Sequence, residues 1–279
     1  DELRRLEIDE DWIHTIIRKK VLVDQHEFTQ RAKDESESVK DELLAGVQAF
    51  LGEDFDMSHF TPHYRPWQQR IAFVPDGDIF QGIASGKASI VTDHIDRFVP
   101  EGIRLTSGDV LEADVIITAT GFNLKFLGNI PFEVDGKPVA WNDRLTWRGM
   151  MIEDVPNMLF VFGYFRASWT LRVDLLGDFM VRLLKHMDEV GAVEVCPKVP
   201  AGVQAKERLS WMNPDDFNPG YLKRGEHLMP KRADHPEWQH TQDYWHEKDD
   251  LPEIDLDGDV FEYSDAQGHI IDTHKADAA

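Results

Sequence analysis

Cysteine is almost absent from this sequence of 279 residues, and long apolar runs are absent too. The single cysteine, Cys196, excludes an internal disulfide and a zinc site built on several cysteines. The longest apolar run, Met158–Phe162, is interrupted at Gly163. It falls far short of the roughly 20 residues of a membrane-spanning helix, so we expect no membrane span.

Positive charge is scarce as well. The chain has 30 Lys and Arg against 52 Asp and Glu, a formal net charge of −22. This balance argues against nucleic acid or an anionic membrane surface as a partner. The first residues are charged and show no secretory signal, so we expect a soluble, cytoplasmic protein. Hydrophobic residues make up 42% of the chain, enough for a substantial core.

The most informative stretch that is present is Asp114–Asn123, in which three β-branched residues precede Ala-Thr-Gly. The pattern predicts a short buried strand over 115–118 that ends at a glycine turn. Apolar strands of this kind are typical of parallel α/β sheets, where ligands collect at the strand ends. We therefore expect the turn Thr118–Gly121 to lie near a cofactor. An ordinary connection to the next element is the alternative.

Helical spacing of apolar residues occurs in three places. Residues 3–23 form the first predicted helix, and Val39–Leu51 forms a second that ends at Gly52. The third runs from Ala167 through Val190, with Leu171, Leu175, Phe179, Leu183, Leu184 and Met187 on its apolar side. We expect all three to pack their apolar faces into a core.

A predicted strand, a tight turn and a helix start follow one another around Gly163. Met158–Phe162 is predicted as a buried strand, and Ser168 or Thr170 can cap the helix. The free N–H groups and the dipole at a helix N-terminus attract electron-rich groups. The segment therefore predicts a ligand-binding turn, with a plain connection from strand to helix as the alternative.

Further short strands are predicted over 89–93, 102–106 and 110–112, the last two as a hairpin. A turn at Asp135-Gly136 is expected within 132–139.

The loop 59–70 is rich in aromatic and cationic side chains, and its two prolines forbid a regular helix. One proline separates His59 from His63 and denies them the shared helical face of a metal pair. We expect the loop to present Arg65 or Arg70 into a cleft. A surface loop with solvated arginines is the alternative.

From Cys196 onward the chain is rich in Pro, Trp, His and carboxylates, with little periodicity. The spacing of its histidines fits no ligand template, and Asp255–Asp259 resembles a calcium loop but lacks the closing acidic residue. We therefore expect no metal site. The neighbouring tryptophans favour docking of this extension onto a surface.

Taken together, several segments resemble the second half of flavin-containing monooxygenases of the Baeyer–Villiger type: 62–70, 73–80, 90–93, 102–105 with 107–108, 113–123 and 149–175. The resemblance implies an α/β chain with a partial two-dinucleotide-binding (FAD/NAD(P)) flavoprotein fold, whose N-terminal Rossmann portions are missing. It implies FAD and NADP as cofactors. Residues 1–118 would complete the NADP-binding domain and include a helical insertion, 119–195 would return to the FAD-binding domain, and 196–279 would be an acidic C-terminal extension.

The resemblance also implies site residues. Those near the cofactors are Thr118, Ala119, Thr120 and Gly121. Those that approach the flavin ring are Gly163, Ser168, Trp169, Thr170 and Leu171, with the helix N-terminus facing its pyrimidine end. Arg70 matches the arginine that serves the flavin C4a-peroxide in Baeyer–Villiger enzymes, because a guanidinium keeps its proton and stabilises developing anions.

The sequence departs from that family in one respect: no Gly-x-Gly-x-x-Gly turn occurs in it. Such a turn cradles the pyrophosphate of a dinucleotide. We therefore expect a C-terminal fragment, inactive alone, of an FAD- and NADPH-dependent monooxygenase that oxygenates a ketone or a sulfur or nitrogen centre. Its partners would be a small organic substrate, O₂, and the missing N-terminal half or a second copy.

Two other interpretations stay open. The chain could be a truncated, non-catalytic relative that docks on another protein through its acidic tail. It could also be an unrelated acidic α/β binding domain, which would make every matched segment a coincidence.

Overall fold

The structure, a computed structural model, describes residues 1–204 and 207–273. The chain divides into two compact units, the first over 1–122 and the second from Asn123 onward. In the described part of the chain, no helix combines the length and the apolar character needed to cross a membrane.

The first unit contains four α-helices: α1 Glu2–Arg5, α2 Glu10–Asp34, α3 Ser36–Leu51 and α4 Asp78–Ala84. The predicted helix over 3–23 is thus divided, because Asp9 caps α2 by accepting a hydrogen bond from the Asp11 amide at 2.9 Å. Gly52, with φ 89°, ends α3 as predicted. Ala32, Val39 and Trp67 are buried together where these helices pack.

The three strands of the first unit form an antiparallel sheet in the order β1–β2–β3: β1 Ile95–Val99, β2 Gly102–Leu105 and β3 Val110–Glu112. The predicted hairpin of β2 and β3 is confirmed, but the strand predicted over 89–93 is wrong. The Asp93 carboxylate instead accepts hydrogen bonds from the Thr106 hydroxyl at 2.7 Å and the Ser107 amide at 3.1 Å. These bonds lower the pKa of Asp93 and tie the segment to the hairpin turn.

The buried strand predicted over 115–118 is also wrong. No strand is assigned there, and Val115 and Ile117 are 77% and 86% exposed. A strand of a covered parallel sheet needs hydrogen-bonded neighbours and a layer on each face. Among the described residues none forms a ladder with this segment, so its apolar side chains face solvent.

The second unit contains the helices α5 Trp169–Val190, α6 Ala201–Gln204, α7 Gly220–Gly225 and α8 Tyr244–Asp250. Its strands are β4 Glu133–Val134, β5 Lys137–Pro138, β6 Thr146–Trp147, β7 Met151–Ile152, β8 Glu194–Pro197, β9 Arg208–Ser210, β10 Lys231–Ala233, β11 Phe261–Ser264 and β12 Ile270–Ile271. A three-stranded sheet has the order β12–β11–β8, and β4–β5, β6–β7 and β9–β10 form pairs.

The predicted turn at Asp135-Gly136 is confirmed by the pairing of β4 with β5. The buried strand predicted over 158–162 is wrong, since only a single bridge joins Leu159 to Met151. The strands paired into the named sheets are all antiparallel in the described residues. The helices and small sheets agree with an α/β chain, while the partial dinucleotide-binding fold and the three-part division of the chain stay predictions.

Helix α5 contributes one of its faces to the core of the second unit. Leu176, Phe179 and Leu183 pack from it into a core with Trp147 and Tyr263. Gly191 ends the helix with φ 73°, as predicted. The predicted apolar face is only partly correct, because Leu184 is 48% exposed whereas Leu176 and the charged residue Arg172 are buried. Val173, Met180 and Val181 extend the exposed apolar side of the helix.

Candidate functional site

The predicted site residues of the first unit lie on two loops. Arg70 is exposed and follows a turn in which Pro66 and Gln69 form a bridge. That turn is fixed by Trp67, whose ring is 5% exposed in the helical core. The loop is therefore anchored by an aromatic side chain and leaves the guanidinium of Arg70 accessible.

Thr118, Ala119, Thr120 and Gly121 are exposed on the second loop. Gly121 has φ 87°, a conformation in which a side chain would be strained, and open space surrounds its Cα. Backbone groups of this segment are accessible to a ligand.

The predicted residues of the second unit surround the start of α5. A Cβ atom on Gly163 would lie 2.3 Å from Cγ of Trp169, so only glycine allows this turn to pack against the helix. Gly163 and Leu171 are buried, whereas Ser168, Trp169 and Thr170 are exposed. The structure thus brings all five residues of this group to one place, the N-terminal end of α5.

The start of α5 is capped differently from the prediction. Ser168 occupies the N-cap position, but its hydroxyl lies 2.8 Å from the Thr170 hydroxyl. Among the described residues no side chain accepts from the first helical N–H groups. The Leu171 N–H donates to the Ser168 carbonyl at 3.3 Å. The N–H groups of Trp169 and Thr170 and the positive end of the helix dipole lie at the exposed end of the helix, where an electron-rich group would be stabilised.

Arg172 lies in the first turn of α5 and is fully buried. Its guanidinium donates to Glu247 through Nε at 2.9 Å and Nη2 at 3.1 Å. The remaining bonds go to the carbonyl oxygens of Arg148 at 2.7 Å, Gly149 at 3.2 Å and Phe162 at 2.7 Å. All five N–H donors of this side chain are used.

Glu247, on α8, is the acceptor for both Arg172 and Tyr164. The Tyr164 hydroxyl donates to Oε2 of Glu247 at 2.6 Å. Burial, together with the adjacent carboxylate, raises the pKa of Tyr164 far above its usual value, so the phenol stays protonated. The carboxylate is therefore shared by Tyr164, which follows Gly163 directly, and by Arg172 in the first turns of α5.

Gln242 and His240 lie just before α8 in the sequence, and Gln242 binds the turn directly. The Gln242 side chain accepts from the Phe165 amide at 2.7 Å and donates to the Gly163 carbonyl at 3.2 Å. His240 lies 2.7 Å from the Trp211 carbonyl through Nε2, which must carry the proton because a carbonyl only accepts. Burial lowers the pKa of His240 to about 4, so the ring is neutral at pH 7.

Arg172, Glu247 and Gln242 were not predicted from the sequence. The signal for Arg172 was a charged residue within the apolar stripe of a helix, because a buried guanidinium requires a buried acceptor. In the described part of the chain, no group of three or more His, Cys, Asp or Glu side chains could hold a metal ion.

Comparison with known proteins gives a consistent group of relatives. The chain is 36% identical over 263 residues to the probable FAD-binding monooxygenase AlmA of Acinetobacter baylyi, covering 94% of this chain and 52% of the relative. It is 39% identical over 233 residues to the FAD-containing monooxygenase EthA of Mycolicibacterium smegmatis, covering 83% and 46%. EthA of Mycobacterium tuberculosis is also 39% identical, over 238 residues that cover 85% and 48%.

The chain thus spans about half the length of the curated relatives that it matches. No family model and no solved structure matches it.

Proposed function

Because this chain is homologous, over most of its length, to FAD-containing monooxygenases, we propose that it forms the C-terminal half of an FAD- and NADPH-dependent monooxygenase. The observation that carries the proposal is this homology, at 36% to 39% identity, with proteins named for FAD. The reaction would insert one oxygen atom of O₂ into a small organic substrate, a ketone or a sulfur or nitrogen compound.

The exposed start of α5 supports placing one edge of the flavin ring there. The N–H groups near Ser168 and Thr170 would stabilise electron-rich atoms of the ring. Because Gly163 packs closely on Trp169, the turn stays against the helix and would leave space for the ring. In the first unit, taken by itself, the backbone of Thr118–Gly121 is exposed and could contact a cofactor. When bound, the flavin supplies the reactive oxygen chemistry, while the protein binds and orients.

Arg70 has a separate role in this proposal. Its exposed guanidinium would stabilise negative charge that develops on the oxygen atoms of the reacting groups. The loop is held by the buried ring of Trp67, which limits how far the charge can move.

The pyrophosphate sites would come from outside this chain. No Gly-x-Gly-x-x-Gly turn occurs in the sequence, and the relatives are about twice as long. Two exposed apolar surfaces are consistent with a further protein segment: the stretch 115–117, and the side of α5 that carries Val173, Met180 and Leu184. By itself the chain would bind FAD weakly and turn over little substrate.

The test uses the complete product of the gene that encodes this chain. We expect a yellow protein that holds FAD and oxidises NADPH in the presence of O₂. Arg70→Ala should keep its flavin but lose about 100-fold or more of kcat for ketone oxygenation, the loss typical of removing a stabilising donor. Arg97→Ala, which removes another exposed guanidinium of the first unit, is the control and should leave kcat unchanged.

Two results would reject the proposal. Unchanged lactone or ester formation by Arg70→Ala would remove Arg70 from the chemistry. A colourless complete product that forms a stable complex with another protein would favour the non-catalytic interpretation instead.

A further inference from the structure

The C-terminal extension holds the turn at Gly163 through the amide of one side chain. Gln242 accepts from the Phe165 N–H at 2.7 Å and donates to the Gly163 carbonyl at 3.2 Å. Both partners belong to the backbone of the same turn, two residues apart. The amide thus pairs with one backbone donor and one backbone acceptor, as a neighbouring strand does in a sheet. These two hydrogen bonds fix the distance between the Phe165 N–H and the Gly163 carbonyl.

The backbone of Gln242 adopts a conformation that suits few residues. Its φ is 54°, in the left-handed region that glycine, asparagine and aspartate occupy most easily. Glycine has no side chain, and asparagine is one methylene shorter, so neither could make both contacts from this position. Strained residues persist where surrounding contacts determine them fully, and they concentrate at functional sites.

A second anchor, Glu247 on α8, follows five residues later. Glu247 binds Arg172 at 2.9 Å and Tyr164 at 2.6 Å, and these two residues lie on opposite sides of the exposed segment Ser168–Thr170. Both anchors come from residues 242–247, and both end on the segment 163–172. The extension is therefore a structural support for the start of α5.

We propose that Gln242 is a positioning residue for the cofactor: its amide fixes the Gly163–Phe165 backbone relative to Ser168–Thr170, and thereby sets how a flavin ring lies against the N-terminus of α5. The inference rests on the proposed function. It gives the acidic extension a defined role in that site, which Gln242 performs without touching the flavin itself.

The first experiment measures whether Gln242 holds the turn in the 279-residue chain. Gln242→Met keeps the length of the side chain and removes both hydrogen bonds, so we expect the Phe165 amide to exchange its hydrogen about 3- to 10-fold faster. Gln242→Glu keeps an acceptor for that amide and should retain most of the protection. Gln239→Met is the control, because among the described residues its side chain makes no hydrogen bond to this turn. Unchanged exchange at Phe165 in Gln242→Met would overturn the inference.

The second experiment measures the cofactor in the complete gene product. We expect Gln242→Met to raise the Kd for FAD about 3- to 10-fold and to shift the visible flavin absorption band, while the melting temperature stays near that of the wild type. Gln242→Glu should restore part of both properties.

The outcomes distinguish the positioning role of Gln242 from the proposed function of the protein. Faster exchange at Phe165 with an unchanged flavin band and Kd would overturn the positioning role and leave the proposed function intact. A complete wild-type product that binds no FAD would overturn the proposed function, and the cofactor role of Gln242 with it.

Discussion

Removing the charge of Glu247 is a direct test of how the C-terminal extension stabilises the second unit. Arg172 is fully buried and Glu247 is 2% exposed. Glu247→Gln keeps the shape of the side chain but replaces one acceptor with an NH₂ group. That group would face the N–H donors of Arg172 or the Tyr164 hydroxyl, and the positive charge would stay in the core without its counter-ion.

The expected change in unfolding free energy depends on the hydrogen bonds that Arg172 keeps in the variant. Breaking a buried ion pair from one side costs about 3–5 kcal/mol, because the remaining charge stays desolvated. The guanidinium retains its bonds to the carbonyls of Arg148, Gly149 and Phe162, which offset part of that cost. We therefore expect Glu247→Gln to lower the free energy of unfolding of the second unit by about 3 kcal/mol.

The assay is urea unfolding followed by tryptophan fluorescence, since six of the eight tryptophans lie in the second unit. Asp249→Asn is the matched control: this carboxylate is on the same helix, 76% exposed and paired with Lys248. An exposed pair contributes at most about 1 kcal/mol, so the control should unfold nearly as the wild type does. A loss below about 1 kcal/mol in Glu247→Gln would refute the reasoning, since it would equal that of an exposed pair.

Two further predictions concern titratable groups. The folded protein lowers the pKa of His240 from 6.5 to about 4, so the unfolded chain takes up this proton first as the pH falls. The stabilisation, at most about 3 kcal/mol, is complete above about pH 6.5 and is lost toward pH 4. His240→Gln should flatten the dependence of unfolding free energy on pH in this window, and a slope equal to that of the wild type would contradict it. Burial raises the pKa of Cys196 to about 11, so we expect a thiol reagent at pH 7 to label it only after unfolding in urea; rapid labelling of the native chain would contradict this.

The elements that could be predicted from the sequence are those with local signals. Gly191 marks the end of α5, Asp135-Gly136 marks the turn between β4 and β5, and Gly52 marks the end of α3. Each acts through the backbone of a few neighbouring residues, so the surrounding sequence suffices.

The strands predicted over 115–118 and 158–162 failed for the opposite reason. Apolar, β-branched runs show that a segment can enter a sheet, but a strand forms only where partners offer it hydrogen bonds. Such partners can be distant in sequence, so no local pattern reveals whether they are present.

The candidate site also contains features that a local sequence pattern predicts and features that depend on distant residues. The helix start at Ser168 was predictable, since a strand-like run, a glycine and a helical pattern follow one another. Arg172 and Glu247 are 75 residues apart, and the chain has 52 carboxylates from which to choose a partner. Which carboxylate is used depends on how the extension packs, and that is a property of the whole unit.

The same separation has a consequence for biosynthesis. Arg172 leaves the ribosome 75 residues before Glu247, which at about 5–20 residues per second is a delay of roughly 4–15 s. During that interval the nascent chain carries the α5 sequence while its Arg172 has no Glu247 to pair with. Synthesis of Glu247, and not translation of α5 itself, therefore sets the earliest moment at which the Arg172 ion pair can form.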